Sequence, residues 1–377
     1  MKHRKALLAI IGVVVIAVVG WLIYRANVPP REEIIKIGAV LPLTGPASEI
    51  GSWQKQGIDL ALQEVNMRGG IAGKKVVVIY EDSKGDPKEG TLAFTRLIAD
   101  RDIHCVFSSL SSVSSAILPI AHDHRIVLVM LAVSLPGIAD RSEWAFRFNV
   151  GSDDEAMAMA KFLATRMQRP AVAVYYVNDE FGNGASVTFR KIYGGYGGQV
   201  VRMQAYGREQ TDHRSNLIEI TGSNVRGVYV IGYTKAAVLA IRQVREMGIS
   251  IPVFANMALS VPVFLELGGE ALEGVYFTTS LFNPDAKEAT VVRFVEQYRE
   301  RFGSNPNFFS AFSYDAFGIV AEAIRKGSNT SVGIKEALLS IVDYPGVMGK
   351  ISVAPNGDAK FPVRVVKLAG GRIVEVE

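Results

Sequence analysis

Apolar runs and polar, glycine-rich turns alternate along the chain from residue 34 onward. The stretch IIKIGAVLPL at 34–43 is typical of a buried strand, whereas 51–69 carries apolar residues at helical spacing until Gly69 and Gly70 end the helix. This succession of a strand and a helix recurs as far as residue 255. It predicts parallel sheets flanked by helices, and a restart of the rhythm at 144–151 predicts two α/β units.

The last third of the chain departs from this rhythm. A strand-like segment at 275–282 is followed by two long helical segments at 286–302 and 308–327. The tail is rich in β-forming residues and contains an Asn-Gly turn at 356–357. The pattern leaves open whether the late helices return to the first α/β unit.

A separate segment at the start of the chain determines the predicted compartment. Residues 6–24 carry no charge and follow a basic head, and as a helix they would span roughly 28 Å, about the thickness of the hydrocarbon core. Because Tyr24-Arg25-Ala26 is a poor cleavage site, we expect residues 1–25 to be an uncleaved inner-membrane anchor rather than a signal peptide. Residues 26–33 then form a tether, and either alternative places the rest on the periplasmic, extracytoplasmic side.

Charge and cysteine content exclude several classes of function. The net charge is +4, but residues 1–33 carry five basic and two acidic side chains, so that residues 34–377 carry only +1. Such a balance gives no basic face for nucleic acid. Cys105 is the only cysteine and the five histidines are scattered, so we expect no disulfide within the chain, no metal site and no cofactor.

The serine-rich stretch SSLSSVSS at 108–115 lies between a predicted strand and a predicted helix. Ligands of open α/β sheets bind beyond the carboxyl ends of the strands, so this stretch is a candidate ligand loop. A serine nucleophile would need a base within hydrogen-bond reach, and the chain has no G-x-S-x-G motif. We therefore do not expect an enzyme, and a serine hydrolase is kept only as an alternative.

Five motifs in order along the chain carry a family resemblance. They are IKIGAVLPLTGPASEIG at 35–51, the long stretch at 57–98, NDEFGNG at 178–184, VYVIGYTKAAVLAIRQVREMGI at 228–249 and FSYDAFGIVAEAI at 312–324. Through them, residues 34–377 resemble the type I periplasmic binding proteins of the leucine/isoleucine/valine-binding group, the solute-binding components of ABC transporters.

The resemblance implies a fold and a mechanism. Two Rossmann-like lobes would be joined by a three-strand hinge and would close over a ligand. It places lobe one at 34–149 plus 282–342, and lobe two at 150–281 plus 343–377. The third crossover between the lobes would lie at about 342–347.

The resemblance also implies which residues contact the ligand. Ser111, Ser134 and the backbone at Ala132 would hold the ligand's carboxylate in lobe one, and hydroxyls and free N–H groups at a helix start are suited to an anion. The remaining implied contacts are Ile50, Phe181, Tyr233, Met257 and Phe309.

Met257 is the most informative departure from the family pattern. Amino-acid binders place an acidic residue at this position, where it pairs with the ligand's ammonium, but the stretch here reads VFANMALS. An unpaired ammonium in a closed cleft costs several kcal/mol. We therefore expect a non-amino organic acid as the ligand in preference to a branched-chain or aromatic amino acid.

The resemblance implies a monomeric solute-binding protein that captures its ligand by hinge closure. Its partners would be the permease subunits of an ABC importer, with the membrane engaged through residues 6–24. The predicted anchor also favours an alternative, in which the chain is the ligand-sensing subunit of a membrane receptor or kinase.

Overall fold

The computed structural model describes residues 20–21, 34–222, 224–280 and 282–376. Apart from Gly20 and Trp21, the predicted anchor and tether lie outside the described residues. Within the described ranges no helix is both long and apolar enough to cross a membrane. Residues 35–377 form one compact unit.

Strands and helices alternate as far as β4 in the first part of this unit. The elements are β1 (Ile34–Leu41), α1 (Ser48–Met67), β2 (Lys75–Asp82), α2 (Pro87–Ile98), β3 (Ile103–Ser109), α3 (Ser111–Asp123), β4 (Val127–Leu131) and β5 (Ala145–Arg147). The middle part continues with α4 (Ser152–Thr165), β6 (Ala171–Val177), α5 (Glu180–Gly195), β7 (Gln199–Tyr206), α6 (Arg214–Ile220), β8 (Gly227–Ile231), α7 (Lys235–Glu246), β9 (Val253–Ala255), α8 (Pro262–Gly268) and β10 (Tyr276–Ser280). The last part consists of α9 (Ala289–Phe302), α10 (Phe308–Gly327), α11 (Ser331–Leu339), β11 (Tyr344–Gly346), β12 (Gly349–Ile351), β13 (Val363–Ala369) and β14 (Arg372–Glu375).

The strands form two main sheets. One has five strands in the order β2-β1-β3-β4-β5, and the other has seven in the order β14-β13-β10-β9-β8-β6-β7. The pairs β1–β3, β3–β4 and β4–β5 are parallel, as is the run from β10 to β7, whereas β13 and β14 are antiparallel additions. The predicted α/β fold with parallel sheets flanked by helices is therefore confirmed.

The sheets lie in the interior because their strands are apolar on both faces. Every residue of β4 and of β8 is buried, as expected for parallel strands covered by helices on each side. Helices α1 and α10 also pack unusually closely, since a Cβ added at Gly57 would lie 2.2 Å from the carbonyl oxygen of Ser310. The late helices thus pack on the side of the five-stranded sheet, where Phe317 of α10 also stacks on Phe107 of β3.

The segment between α11 and β13 contacts the same side. The Asp315 carboxylate of α10 accepts hydrogen bonds from the N–H groups of Val347 at 2.9 Å and Met348 at 2.8 Å. Further along, Asp358 forms a buried ion pair with Arg147 of β5. The chain enters the seven-stranded sheet only with β13. We therefore propose that the first lobe extends to about residue 360 rather than 342; the other lobe limits stay as predicted from the sequence.

Candidate functional site

One cavity of about 420 Å³, counting its opening to solvent, lies where strands of both sheets end. Its lining comes from α1, from the loops after β3, β4, β5, β8 and β9, and from the starts of α3, α4, α5 and α10. This is the usual place for a ligand in open α/β sheets. All eight positions inferred from the sequence line it: Ile50, Ser111, Ala132, Ser134, Phe181, Tyr233, Met257 and Phe309.

The loop between β3 and α3 presents a free hydroxyl and a helix start to the cavity. Leu110 turns the backbone with φ +69°, and α3 begins at Ser111 without a side-chain cap. Ser111 is 2 % exposed, and its Oγ has no hydrogen-bond partner among the described residues. Ser108 and Ser114, by contrast, bond to each other at 2.8 Å. The N–H groups of the first helical turn and the Ser111 hydroxyl can therefore receive an anion.

The loop after β4 supplies a second hydroxyl. Asn149 donates a hydrogen bond from Nδ2 to Ser134 Oγ at 2.7 Å and another to the carbonyl of Val150 at 2.9 Å. Because Ser134 Oγ accepts from Asn149, its own proton remains available for a ligand oxygen. Ala132 adopts φ +48°, a left-handed conformation that is costly outside glycine and is found at ligand-binding turns. Sequence reasoning missed Asn149, which lies at the end of the first α/β unit.

Aromatic and aliphatic side chains form the remaining walls. Phe181 and Tyr233 meet edge to face at 5.7 Å, and Phe309 stacks on Trp53 at 5.9 Å. The Tyr233 hydroxyl donates to Asp179, and burial raises the pKa of Tyr233 well above its ordinary value, so this ring stays neutral. Ile50 completes an apolar surface that suits a hydrocarbon or aromatic body.

A carboxyl group that sequence reasoning missed also lines the cavity. Glu155 lies in the first turn of α4, is 2 % exposed, and accepts hydrogen bonds through Oε2 from the N–H of Met257 at 2.7 Å and from the hydroxyl of Thr278. Burial raises the pKa of Glu155 to about 7, although both hydrogen bonds favour its ionised form.

The expectation that no acidic group lies near Met257 is therefore wrong. Glu155 precedes Met257 by 102 residues and reaches it through the fold. A sequence signal existed, because Glu155, Met159 and Phe162 are spaced at helical intervals and share the buried face of α4. The run Asp153-Asp154-Glu155 instead resembles the solvated acidic turn that commonly begins a helix.

Beside the cavity, contacts join elements of the two sheets. Arg208, in the loop after β7, donates to the carbonyl of Gly85 at 2.7 Å and lies 3.5 Å from Ser112 Oγ. Its Nε is 3.3 Å from the Asp179 carboxylate. A second pair, Lys235 and Glu49, also joins the two sides at 3.1 Å. These contacts hold the two sides of the cavity together.

The described residues contain no group of three His, Cys, Asp or Glu side chains placed to hold a metal ion. Burial raises the pKa of the Cys105 thiol, which lies inside β3 and away from the cavity. The cavity offers hydroxyls, helix N–H groups, one carboxyl and apolar walls, a set suited to binding a small ligand.

Comparison with known proteins gives a consistent family. A family model described as "Periplasmic binding protein" matches residues 34–372. Leu/Ile/Val-binding protein homolog 3 of Brucella melitensis is 25 % identical over 350 residues, covering 91 % of this chain and 94 % of that protein.

Solved structures agree. The leucine-binding protein LivK of Thermotoga maritima superposes with a TM-score of 0.83 at 27 % identity, covering 91 % of this chain and 98 % of its own. An ABC transporter solute-binding protein of R. palustris, solved with benzoate, superposes with a TM-score of 0.83 at 18 % identity, covering 91 % of this chain and 96 % of its own. At that identity the second match supports the fold alone.

Proposed function

This chain belongs to the periplasmic binding protein family, and we propose that it captures a small ligand with one carboxylate and an apolar body. The family consists of extracytoplasmic proteins that bind small solutes and work with ABC transporters. The proposal rests on two hydroxyls that are available to a ligand in the same cavity, the buried Ser111 Oγ at the start of α3 and Ser134 Oγ. Aromatic rings form another wall of this cavity.

Two ligand classes fit this arrangement. An apolar α-amino acid would place its carboxylate on the serines, its ammonium at Glu155 and its side chain against Phe181 and Phe309. A benzoate-like acid would need Glu155 to be neutral, and the raised pKa of Glu155, about 7, is compatible with this. The relatives bind both kinds: one is named as a leucine-binding protein and another was solved with benzoate. We favour the amino acid, because Glu155 supplies a carboxyl group for the ligand's ammonium, which the sequence around Met257 lacks.

Capture proceeds by closure of the two lobes over the ligand. Arg208 supports this proposal, since its side chain joins the loop after β7 to Gly85 and Ser112 on the opposite side of the cavity. The closed form would then be recognised by the permease subunits of an ABC importer. Residues 6–24, of which the structure describes only Gly20 and Trp21, would keep the protein at the outer face of the inner membrane.

Native mass spectrometry and titration calorimetry test the proposal. The full-length protein, purified without added ligand, is weighed for a retained small molecule and then titrated with leucine and with benzoate. Ser111→Ala and Ser134→Ala should each weaken binding by about 1.5–3 kcal/mol, the range for hydrogen bonds to a charged group. Ser215→Ala, at an exposed serine of α6, is the matched control. Unchanged affinity in both cavity variants would refute the proposed cradle.

A further inference from the structure

We propose that Glu155 determines whether the cavity accepts an ammonium group, and that it releases a proton when an amino acid binds. This inference rests on the proposed function, because it assigns a role to a residue of the same cavity. Glu155 lies on α4, at the start of the second α/β unit, whereas amino-acid binders carry their acidic residue after β9, at the position of Met257.

The geometry fixes the carboxyl in place. Oε2 accepts from the N–H of Met257 and from the hydroxyl of Thr278, so that the side chain is held from two elements of the seven-stranded sheet. Oε1 has no hydrogen-bond partner among the described residues, and Glu155 lines the cavity. One carboxyl oxygen is thus structural and the other is available to a ligand.

Glu155 also lies close to the anion cradle. The N–H of Ser152, at the start of α4, donates to the carbonyl of Ser134 at 2.8 Å. Glu155 follows Ser152 by three residues, which corresponds to about 4.5 Å along a helix axis. The Ser134 hydroxyl, which would receive the ligand's carboxylate, therefore lies near the Glu155 carboxyl, which would receive the ligand's ammonium. The carboxylate and ammonium of an α-amino acid are likewise close together.

No protein cation compensates the charge of Glu155. The described lining residues include neither lysine nor arginine. Of the arginines nearby, Arg147 is bound bidentately to Asp358 and also donates to Leu135, while Arg208 pairs with Asp179. An ionised carboxylate without a counter-charge is costly in such surroundings, so Glu155 must take either a proton or a cationic ligand group.

The groups that face Glu155 act on its pKa in both directions, and burial dominates. Burial raises the pKa of Glu155, the hydrogen bonds from Thr278 and Met257 lower it by less, and Asp154 on the same helix raises it by repulsion. Tyr229 of β8 is buried, and its pKa is raised well above the ordinary value, so it stays neutral. Burial therefore favours the protonated form of Glu155, and a cationic group of the ligand would favour the ionised form.

Binding of an amino acid releases one proton from each protein molecule whose Glu155 is protonated. Protonated Glu155 loses its O–H proton to the solvent, and the ligand's ammonium then donates an N–H to the carboxylate. With a pKa of about 7 for Glu155, about half of the molecules must release a proton at pH 7 and nearly all at pH 6. Amino-acid affinity should therefore be about tenfold weaker at pH 6 than at pH 8. An acid without the amino group should show the opposite trend, since it needs Glu155 protonated.

Calorimetry with leucine and its deaminated analogue 4-methylpentanoate tests this. Titrations at pH 6, 7 and 8, in buffers with different ionisation enthalpies, measure affinity and the protons released. Wild type should release close to one proton per leucine at pH 6. Glu155→Gln should lose this release, bind leucine at least tenfold more weakly at pH 8, and keep or gain affinity for 4-methylpentanoate. Glu219→Gln, at an exposed glutamate of α6, should behave as wild type.

A second variant tests the inference without removing the Glu155 carboxyl. Thr278→Val retains the carboxyl but removes a hydrogen bond that lowers the pKa of Glu155, so the pH midpoint of leucine binding should move upward. Leucine binding without proton release, or with equal affinity in Glu155→Gln, would overturn the inference while leaving the proposed function intact. If neither probe binds wild type, the proposed ligand class fails and this inference fails with it.

Discussion

Arg208 provides the sharpest test of lobe closure, through the substitution Arg208→Met. Its guanidinium donates to the carbonyl of Gly85 at 2.7 Å and lies 3.5 Å from Ser112 Oγ, both on the opposite side of the cavity from its own strand. Methionine keeps the length and apolar stem of the side chain but cannot donate. The substitution thus removes contacts that exist only when the two sides of the cavity are together.

The size of the effect follows from the burial of this contact. A hydrogen bond from a charged group contributes about 1.5–3 kcal/mol when it is well buried, but the Arg208 side chain is 25 % exposed. We therefore expect a loss of about 1–2 kcal/mol, which is about 5–30-fold in the dissociation constant. Asp179 is not left unpaired by the substitution, since it still accepts from Tyr233 and from the N–H of Gly182.

Calorimetry and small-angle scattering measure the consequence. The leucine dissociation constant at pH 8 should rise in Arg208→Met, and the ligand-free radius of gyration should shift toward a more open form. Arg202→Met, at an exposed arginine on β7, the strand that precedes Arg208, is the control. If both variants bind leucine as tightly as wild type does, the Arg208 contact does not contribute to closure and the reasoning is refuted.

Three further predictions concern stability and are checked by urea unfolding. Arg147→Met removes the buried guanidinium that pairs with Asp358, leaves this carboxylate only longer contacts with Asn356 and Lys360, and should cost about 3–5 kcal/mol, part of which is recovered when Asp358→Leu is added. Gly57→Ala places a Cβ 2.2 Å from a carbonyl oxygen of α10 and should cost about 1–3 kcal/mol, whereas Gly194→Ala, with no atom within 4 Å, should be neutral or stabilising. Burial raises the pKa of Asp315 to about 7, so the folded state retains a proton that the unfolded chain loses; the unfolding free energy should fall as pH rises from about 4 to 7, and Asp315→Asn should flatten this slope.

Much of the fold could be predicted from the sequence because the strands of a buried parallel sheet are continuous apolar runs. The segment 34–43 contains β1, and the predicted strand before the serine-rich stretch corresponds to β3. The positions at strand ends followed from the resemblance, and Ser111 and Ser134 line one cavity as expected. Whether these residues contact a ligand stays a prediction.

Other features depend on contacts that no local pattern encodes. Glu155 belongs to an acidic turn that normally remains in solvent, and only the approach of Met257, from 102 residues away, places its carboxyl in the cavity. The resemblance places the third crossover at about 342–347, and the contacts of the Asp315 and Asp358 carboxylates with Val347, Met348 and Arg147 support our proposal that the first lobe extends further. Both features depend on buried carboxylates whose partners are distant in the chain.

A crystal structure of the protein grown with leucine would test the central claim most directly. We predict that the ligand's carboxylate lies within hydrogen-bond distance of Ser111 Oγ and Ser134 Oγ, with its ammonium against the free oxygen of Glu155 and its side chain among the aromatic rings. A ligand bound with its carboxylate away from these serines, or a cavity left empty at saturating leucine, would contradict the account.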